Sequence, residues 1–386
     1  MKSGEKRMIV IRFGELWLRG KNRSDYINVL LKNIDVKFSR LKYRVEKHYD
    51  KIIIMPSESS FKEVLRRMGF LFGVSTYEVA YETEPKLSSI VRDACRIMKS
   101  ADGEGAFRIN AHRAYKQHKF NSEDIVRKLA AAAEKKGIPL SPKEYSREIY
   151  ISVAKDFAYI SVQRFKGLGG LPVGSSGRCV VLFSGGIDSP VAAWLAMKRG
   201  MEPVYVHMHA FPNASEVLES KIAGLINMLS DYHETYRVYY IPTHRFQVAA
   251  LKTGRYELVM LKRFMLKCAE QLLDREKSRV IVTGESIGQV ASQTQNNLFS
   301  EEQEISASVI RPLACFDKSE IIEIAKMIGT FDESVKPYRD VCSISAKHPV
   351  INSNPKTVLR IEKEIKLDSL AATAVKSAEI ADGSIS

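Results

Sequence analysis

The sequence predicts a multidomain chain, α+β in its first half and α/β with a doubly wound parallel sheet in its second. Three observations carry this. Strand-patterned and helix-patterned segments alternate throughout. A stretch at 167–177 holds five glycines and a proline, which neither a helix nor a strand tolerates. Charge divides at the same place. Residues 1–176 carry 34 Lys and Arg against 20 Asp and Glu, accounting for the whole net charge of +14, and the remainder carries 25 of each.

Residues 8–13 are β-rich. A helical period runs from Arg23 to Leu41, with Tyr26, Val29, Leu30, Ile34 and Phe38 as its apolar stripe. A strand at 51–55 and a helix at 61–68 complete a small β-α-β-type unit ending near residue 70. The alternation then repeats, with strands at 74–81 and 106–111, helices at 87–99 and 121–136, and strands at 148–153 and 159–164. Gly137 stops the second of those helices. Beyond the glycine stretch, the segments 179–183, 203–209, 238–241 and 280–283 are continuous apolar runs, with helices at 189–199 and 256–275. Such runs belong to a parallel sheet covered by helices on both faces. The chain end reads as a short polar tail, helical and then frayed.

No apolar run approaches the roughly 18–20 residues of a membrane helix. The run Met8-Ile9-Val10-Ile11 is too short for a signal-peptide core. A cytoplasmic location without membrane association is expected. The five cysteines, Cys95, Cys179, Cys268, Cys315 and Cys342, are odd in number and widely spaced, so thiols are expected rather than a disulfide framework. Confinement of the excess positive charge to one half argues for a polyanion-binding module joined to a neutral one. Nucleic acid is the first candidate and an acidic membrane surface the rival. Within that half Arg108, His112, Arg113, Lys116 and Lys119 form a basic run interleaved with Tyr115 and Phe120, suited to RNA phosphate contact. The plainer reading is a solvated loop. His48 and His233 read as structural.

The segment with the most chemical content begins at Cys179-Val180-Val181-Leu182-Phe183 and runs into Ser184-Gly185-Gly186-Ile187-Asp188-Ser189-Pro190. This is the turn at the carboxyl end of a buried parallel strand, where open α/β sheets bind ligands. Gly185 and Gly186 let the backbone approach a phosphate closely. Turn amides and the helix N-terminus then point at the anion, and Ser184 and Ser189 add hydroxyl donors. Asp188 repels a phosphate unless it helps to hold Mg²⁺ bound to it. Gly14 to Gly20-Lys21 is no Walker loop, since five residues intervene and Asn22 stands where Ser or Thr is required.

The SGGxDS pattern after an apolar strand resembles the PP-loop of the N-type ATP pyrophosphatases, which cleave ATP to AMP and pyrophosphate and adenylate a substrate. Over residues 8–350 the chain resembles the tRNA 4-thiouridine synthetase (tRNA sulfurtransferase) family, in a form lacking the C-terminal rhodanese domain. Four blocks carry the likeness: Gly14-Glu15-Leu16 with Gly20-Lys21-Asn22-Arg23; the Gly-Leu-Pro-Val-Gly stretch at 170–174; Thr283-Gly284-Glu285-Ser286 through Ser292-Gln293-Thr294; and Arg311-Pro312-Leu313 with Asp317-Lys318. The resemblance implies a ferredoxin-like domain at 1–70, a THUMP RNA-binding domain at 71–166, a linker at 167–177 and a PP-loop ATP pyrophosphatase domain at 178–386. It implies ATP and Mg²⁺ as cofactors. Leu182, Phe183, Ser184, Gly185, Gly186, Asp188, Ser189, His207, Met208, Lys262, Gly284 and Gln293 are the implied ATP-binding residues.

Cys342 occupies the family's sulfur-carrying position in a polar loop, with Arg339 and Lys347 as basic neighbours that would favour its thiolate. Asp188 and Cys342 are thus the implied catalytic pair. Some archaeal members carry a CxxC pair on the long helix as part of a three-cysteine iron–sulfur cluster. Only Cys268 stands there in this sequence, so the cluster pattern is incomplete and Cys268 is left as a second thiol. The implied partners are tRNA and a sulfur donor, either a cysteine desulfurase or inorganic sulfide. A homodimer is also considered, without a residue that argues for it. The implied product is 4-thiouridine at position 8 of tRNA. The competing readings are a PP-loop enzyme acting on another tRNA base and a non-catalytic RNA-binding protein.

Overall fold

The structure is a computed structural model that describes residues 7–211, 220–290, 292–338, 341 and 349–384. Contacts divide the chain into two compact units, residues 1–23 with 34–170, and residues 24–33 with 171–386. The main break falls at Gly170–Leu171, inside the glycine-rich stretch.

The first unit is built on strands β1 (Arg7–Arg12), β2 (Tyr43–Lys47), β3 (Lys51–Pro56), β4 (Thr76–Thr83), β5 (Phe107–Arg113), β6 (Arg147–Val153) and β7 (Ala158–Lys166). Its helices are α2 (Phe61–Met68), α3 (Leu87–Ser100) and α4 (Ser122–Glu134), and α1 (Arg23–Lys37) spans the boundary of the two groups. All seven strands form one sheet in the order β2-β3-β1-β4-β7-β6-β5. β1 pairs antiparallel with both β3 and β4, so the sheet runs continuously across residue 70. β5 lies at the edge and is parallel to β6. Ile90, Cys95, Phe107, Ile125, Leu129 and Ile149 are buried together between α3, α4 and the sheet. Asn121 caps α4 through a reciprocal pair with Asp124, and Gly137 takes a positive φ after its last turn. The sequence reading placed one strand in 45–55, whereas the structure has a β2–β3 hairpin. β2 is a half-exposed edge strand, Tyr-Arg-Val-Glu-Lys, with too few apolar residues to announce itself.

The second unit holds strands β8 (Arg178–Leu182), β9 (Glu202–His209), β10 (Thr235–Pro242), β11 (Ser278–Val282), β12 (Ser308–Ile310) and β13 (Glu379–Ser384). Its helices are α5 (Asp188–Lys198), α6 (Lys221–Ser230), α7 (His244–Ala250), α8 (Glu257–Leu272), α9 (Gln295–Glu302), α10 (Lys318–Met327), α11 (Phe331–Ser334), α12 (Pro355–Glu364) and α13 (Leu367–Lys376). The sheet order is β12-β11-β8-β9-β10-β13. The first five are parallel. The expectation of a frayed tail is corrected here: β13 pairs antiparallel with β10 over six residues. Arg237 of β10 forks onto Asp382 at 2.7 and 2.8 Å. The segment Glu-Ile-Ala-Asp-Gly-Ser has one large apolar residue, so its pairing comes from the open sheet edge rather than from its own pattern.

The chain order sets the site. From β8 the fold proceeds through β9 and β10 to one side, then returns to lay β11 and β12 on the other. The carboxyl ends of β8 and β11 therefore flank a topological switch point, where the crossover connections diverge and leave a crevice.

Candidate active site

At that switch point the turn Ser184–Ser189 leaves β8 and opens α5. Ser189 closes the turn: its hydroxyl accepts from the Ser184 amide at 3.0 Å and donates to the Ser184 carbonyl at 2.8 Å. Gly186 donates its amide to the Ser184 hydroxyl at 3.3 Å. A Cβ on Gly185 would meet Lys221 Cε at 2.6 Å, so a larger residue there would have to push the lysine side chain of α6 aside. Gly284, at the end of β11, packs against the first turn of α5, where a Cβ would lie 2.9 Å from the Ser189 amide nitrogen. Gly284→Ala must therefore displace the start of α5. Pyrophosphate release from ATP is expected to fall at least about tenfold, with the melting transition preserved, if overpacking costs the turn roughly 1–3 kcal/mol. Unchanged turnover would show that this contact does not shape the turn.

Leu182, Phe183, Ser184, Asp188, Ser189, His207, Met208, Lys262, Gly284 and Gln293 line one cavity, and Gly185 and Gly186 lie in the turn beside it. The empty space there is about 790 Å³, open solvent at the mouth included. The residues come from strand ends β8 and β9, from α8 and from the loop after β11.

The electrostatics at the turn are specific. Asp188 accepts from Lys318 Nζ at 2.6 Å and from Gln289 Nε2 at 3.0 Å. Lys318 is held there by the start of α10, where Asp317 and Glu320 form a capping box. His207 is buried. Its Nδ1 lies 2.8 Å from the Phe183 carbonyl, which can only accept, so Nδ1 carries the proton and Nε2 accepts from the Tyr338 hydroxyl at 2.8 Å. Its ring therefore fixes the strand ends while forming part of the wall. Lys262 stands 3.2 Å from Glu285. Gln293 Oε1 is buried with no partner among the described residues.

Met265, Leu266, Thr283, Glu285, Glu301 and Val341 also line the cavity and were not singled out in the sequence as contacts. Glu285 stood in plain view in the Thr-Gly-Glu-Ser block. Glu301 had no signal, because Ser-Glu-Glu-Gln at a helix end reads as a solvated face. Val341 brings the chain to the cavity wall immediately before Cys342. Cys342, Arg339 and Lys347 lie outside the described residues.

The possible second thiol lies buried. Cys268 has no exposed surface, its Sγ faces the Ala371 carbonyl at 4.0 Å, and desolvation pushes its thiol far above the usual range. It serves as packing among the residues under α8. No cluster of three metal-ligating side chains occurs among the described residues, which do not include Cys342. Cys179 is also buried, with its thiol pushed up to about 12 by desolvation.

In the first unit, Arg108 and His112 stand exposed on the same face of edge strand β5, and Lys116 and Lys119 are exposed in the following loop. Arg113 is not presented with them. Its guanidinium donates to the carbonyls of Lys116 at 2.8 Å and His118 at 3.0 Å, tying the loop together. His118 stacks on Phe120 in the same loop. Arg108 donates to the Tyr145 hydroxyl at 2.8 Å. For a polyanion partner, Lys116→Ala with Lys119→Ala is expected to weaken tRNA binding and flatten its dependence on salt by about 0.7–0.9 per lost phosphate contact. A filter-binding salt series with an unchanged slope would exclude this loop.

A glycine turn between a buried parallel strand and a helix, with an acidic residue at the helix start and a cavity at the switch point, defines a nucleotide-binding α/β domain of the PP-loop kind. Comparison with known proteins specifies it further. The model of the thiamine biosynthesis protein (ThiI) family matches residues 174–367, and that of the ThiI ferredoxin-like domain matches residues 8–77. A probable tRNA sulfurtransferase of Thermoanaerobacter sp. (strain X514) is 35% identical over 366 residues, covering 94% of this chain and 95% of the relative. One from Brevibacillus brevis is 31% identical over 380 residues, 97% and 95% of the two chains. Among solved structures, a 4-thiouridine synthetase in complex with RNA and ATP superimposes with a TM-score of 0.88 at 30% identity, covering 98% of this chain and all of that one. The chain belongs to the ThiI family.

Proposed function

We propose that this protein is an ATP-dependent tRNA sulfurtransferase that makes 4-thiouridine at position 8 of tRNA. The observation that carries the reading is the convergence on one cavity of residues from well-separated sequence blocks, at the switch point of a chain in the ThiI family. ATP occupies the cavity, its phosphates against the Ser184–Ser189 turn and the first amides of α5. Asp188, a single partly exposed carboxylate at that helix start, suits Mg²⁺ that takes its remaining ligands from phosphate and water. The charge of the ion would offset that of the leaving pyrophosphate. Lys318, at 2.6 Å from Asp188, is placed to meet the same charge.

The uridine C4 oxygen attacks the α-phosphorus, and pyrophosphate leaves. The terminal sulfur of a Cys342 persulfide then attacks C4, the C4–O bond breaks, and AMP leaves. The resulting C4–S–S–Cys342 link is opened by an external thiol, giving 4-thiouridine and a disulfide on Cys342. With inorganic sulfide as donor, hydrosulfide attacks C4 directly and no redox step is needed. A cysteine desulfurase or sulfide itself supplies the sulfur.

The test uses the whole chain with unmodified tRNA, ATP, Mg²⁺ and a sulfur source. Nucleoside mass analysis should find 4-thiouridine, with AMP and pyrophosphate formed in proportion. Sulfur in a different base would move the assignment to another tRNA site. Absence of both AMP and thiolated base would reject it.

A further inference from the structure

One wall of the cavity is crowded with charge. Lys262 comes from α8, Glu285 from the loop after β11, Arg311 from the loop after β12, and Glu301 and Glu302 from the end of α9. Each cation is paired with another carboxylate, although Arg311 Nη2 is buried without a partner among the described residues. Glu285 takes Lys262 at 3.2 Å and Arg311 Nε at 2.9 Å, and Glu302 takes Arg311 Nη1. Arg263, the next residue of α8, is fully buried and bound by Glu362 of α12 and by the carbonyls of Ser300 and Gln303. Lys267, one turn on, pairs with Glu362 and Asp368.

Glu301 is left over. It is 2% exposed, lines the cavity, and has no hydrogen-bond partner for Oε2 among the described residues. A second bare carboxylate beside Glu285 in this desolvated wall would be costly, so the proton stays on. Burial first, then the charge of Glu285, push the Glu301 carboxyl well above the usual range, against the weaker pull of Lys262, Arg311 and Arg263. Burial acts on Glu285 too, but Lys262 and Arg311 outweigh it and hold that carboxyl below the usual range. The two carboxyls are thus driven apart, one anionic and one neutral. A neutral carboxyl has one O–H to donate, and Oε2 is the buried oxygen of Glu301 that no donor of the described protein reaches.

We propose that Glu301 is an ATP-binding residue: the Oε2–H of its neutral carboxyl donates a hydrogen bond to an acceptor atom of the nucleotide held in this cavity. The proposal rests on the nucleotide reading of the cavity. It assigns to α9 a contact that neither the glycine turn nor the strand ends supply. It also gives binding a pH limit. Affinity is complete while Glu301 is protonated and falls as pH rises through its raised pKa, because the donor is lost and a like charge appears beside the nucleotide phosphates.

The test is calorimetric titration of the full chain with ATP between about pH 6 and pH 9, below the range in which lysines titrate. Glu301→Gln keeps a donor at the same place, so its affinity should lie within about twofold of wild type at neutral pH and stay flat where wild type weakens. Glu301→Leu removes the donor and should weaken ATP about three- to tenfold, the worth of one hydrogen bond. The same titrations with AMP locate the acceptor. Loss with both ligands puts it on the nucleoside or α-phosphate, and loss with ATP alone puts it on the outer phosphates; either supports the donor role. Equal affinity of Glu301→Leu and wild type, or an alkaline limb in Glu301→Gln that tracks wild type, overturns it. If Glu301→Leu fails to fold, the comparison of wild type with Glu301→Gln decides alone. Failure of wild type to bind ATP would instead reject the nucleotide reading of the cavity.

Discussion

Asp188→Ala is expected to lower pyrophosphate release by at least about a hundredfold, the scale of losing an electrostatic group that acts on developing charge. The carboxylate sits at the first residue of α5 and receives Lys318 at 2.6 Å and Gln289 at 3.0 Å. Its removal deletes the proposed metal contact and releases the lysine. The substitution is partly exposed and local, so the melting temperature should change little. Affinity for tRNA, assigned to the basic first unit, should remain. Pyrophosphate release at the wild-type rate would sink the phosphate-loop assignment whatever happened to thiolation.

Cys342→Ser is expected to separate the two halves of the reaction. Serine keeps the size but cannot hold a persulfide, so 4-thiouridine assayed with the physiological donor should drop to background. Adenylation depends on the nucleotide cavity, so AMP formation in the presence of tRNA should persist. The neighbouring Val341 lies on the cavity wall, which supports the placing of sulfur chemistry beside the activated base. Full 4-thiouridine synthesis by the serine variant would rule out the covalent role. Cys268→Ser should lose some stability through a buried hydroxyl but retain thiolation, since that thiol reaches no solvent.

The parallel strands were legible because Val180, Val181 and Leu182, or Val204 through Val206, are buried on both faces and must be apolar throughout. β2 and β13 were not, because edge strands are held by a neighbour's open hydrogen bonds and can be polar. The turn at 184–189 was legible because Ser-Gly-Gly-x-Asp-Ser directly after an apolar strand is a local pattern, and Gly185 sits in a tight place beneath Lys221. The surroundings of Arg113 and of Cys268 were not legible, for the same reason as each other. Whether a guanidinium meets solvent or the carbonyls of its own loop, and whether a helical thiol faces out or into α13, depends on tertiary packing that no local pattern encodes. The charges that act on Glu301 likewise come from α8 and from the loops after β11 and β12, outside its own helix.

The direction of β13 has a practical consequence for anyone engineering this enzyme. Glu379 pairs near the carboxyl end of β10 and Ser384 near its amino end. The last described residues therefore point to the edge of the sheet opposite the crevice, about 20 Å away along a six-residue strand. A sulfur-carrying module or an affinity handle fused after Ser384 would emerge on that far side. A handle there is well clear of substrate, whereas a fused sulfur carrier would need a tether long enough to travel back around the sheet before its thiol could reach the reacting base.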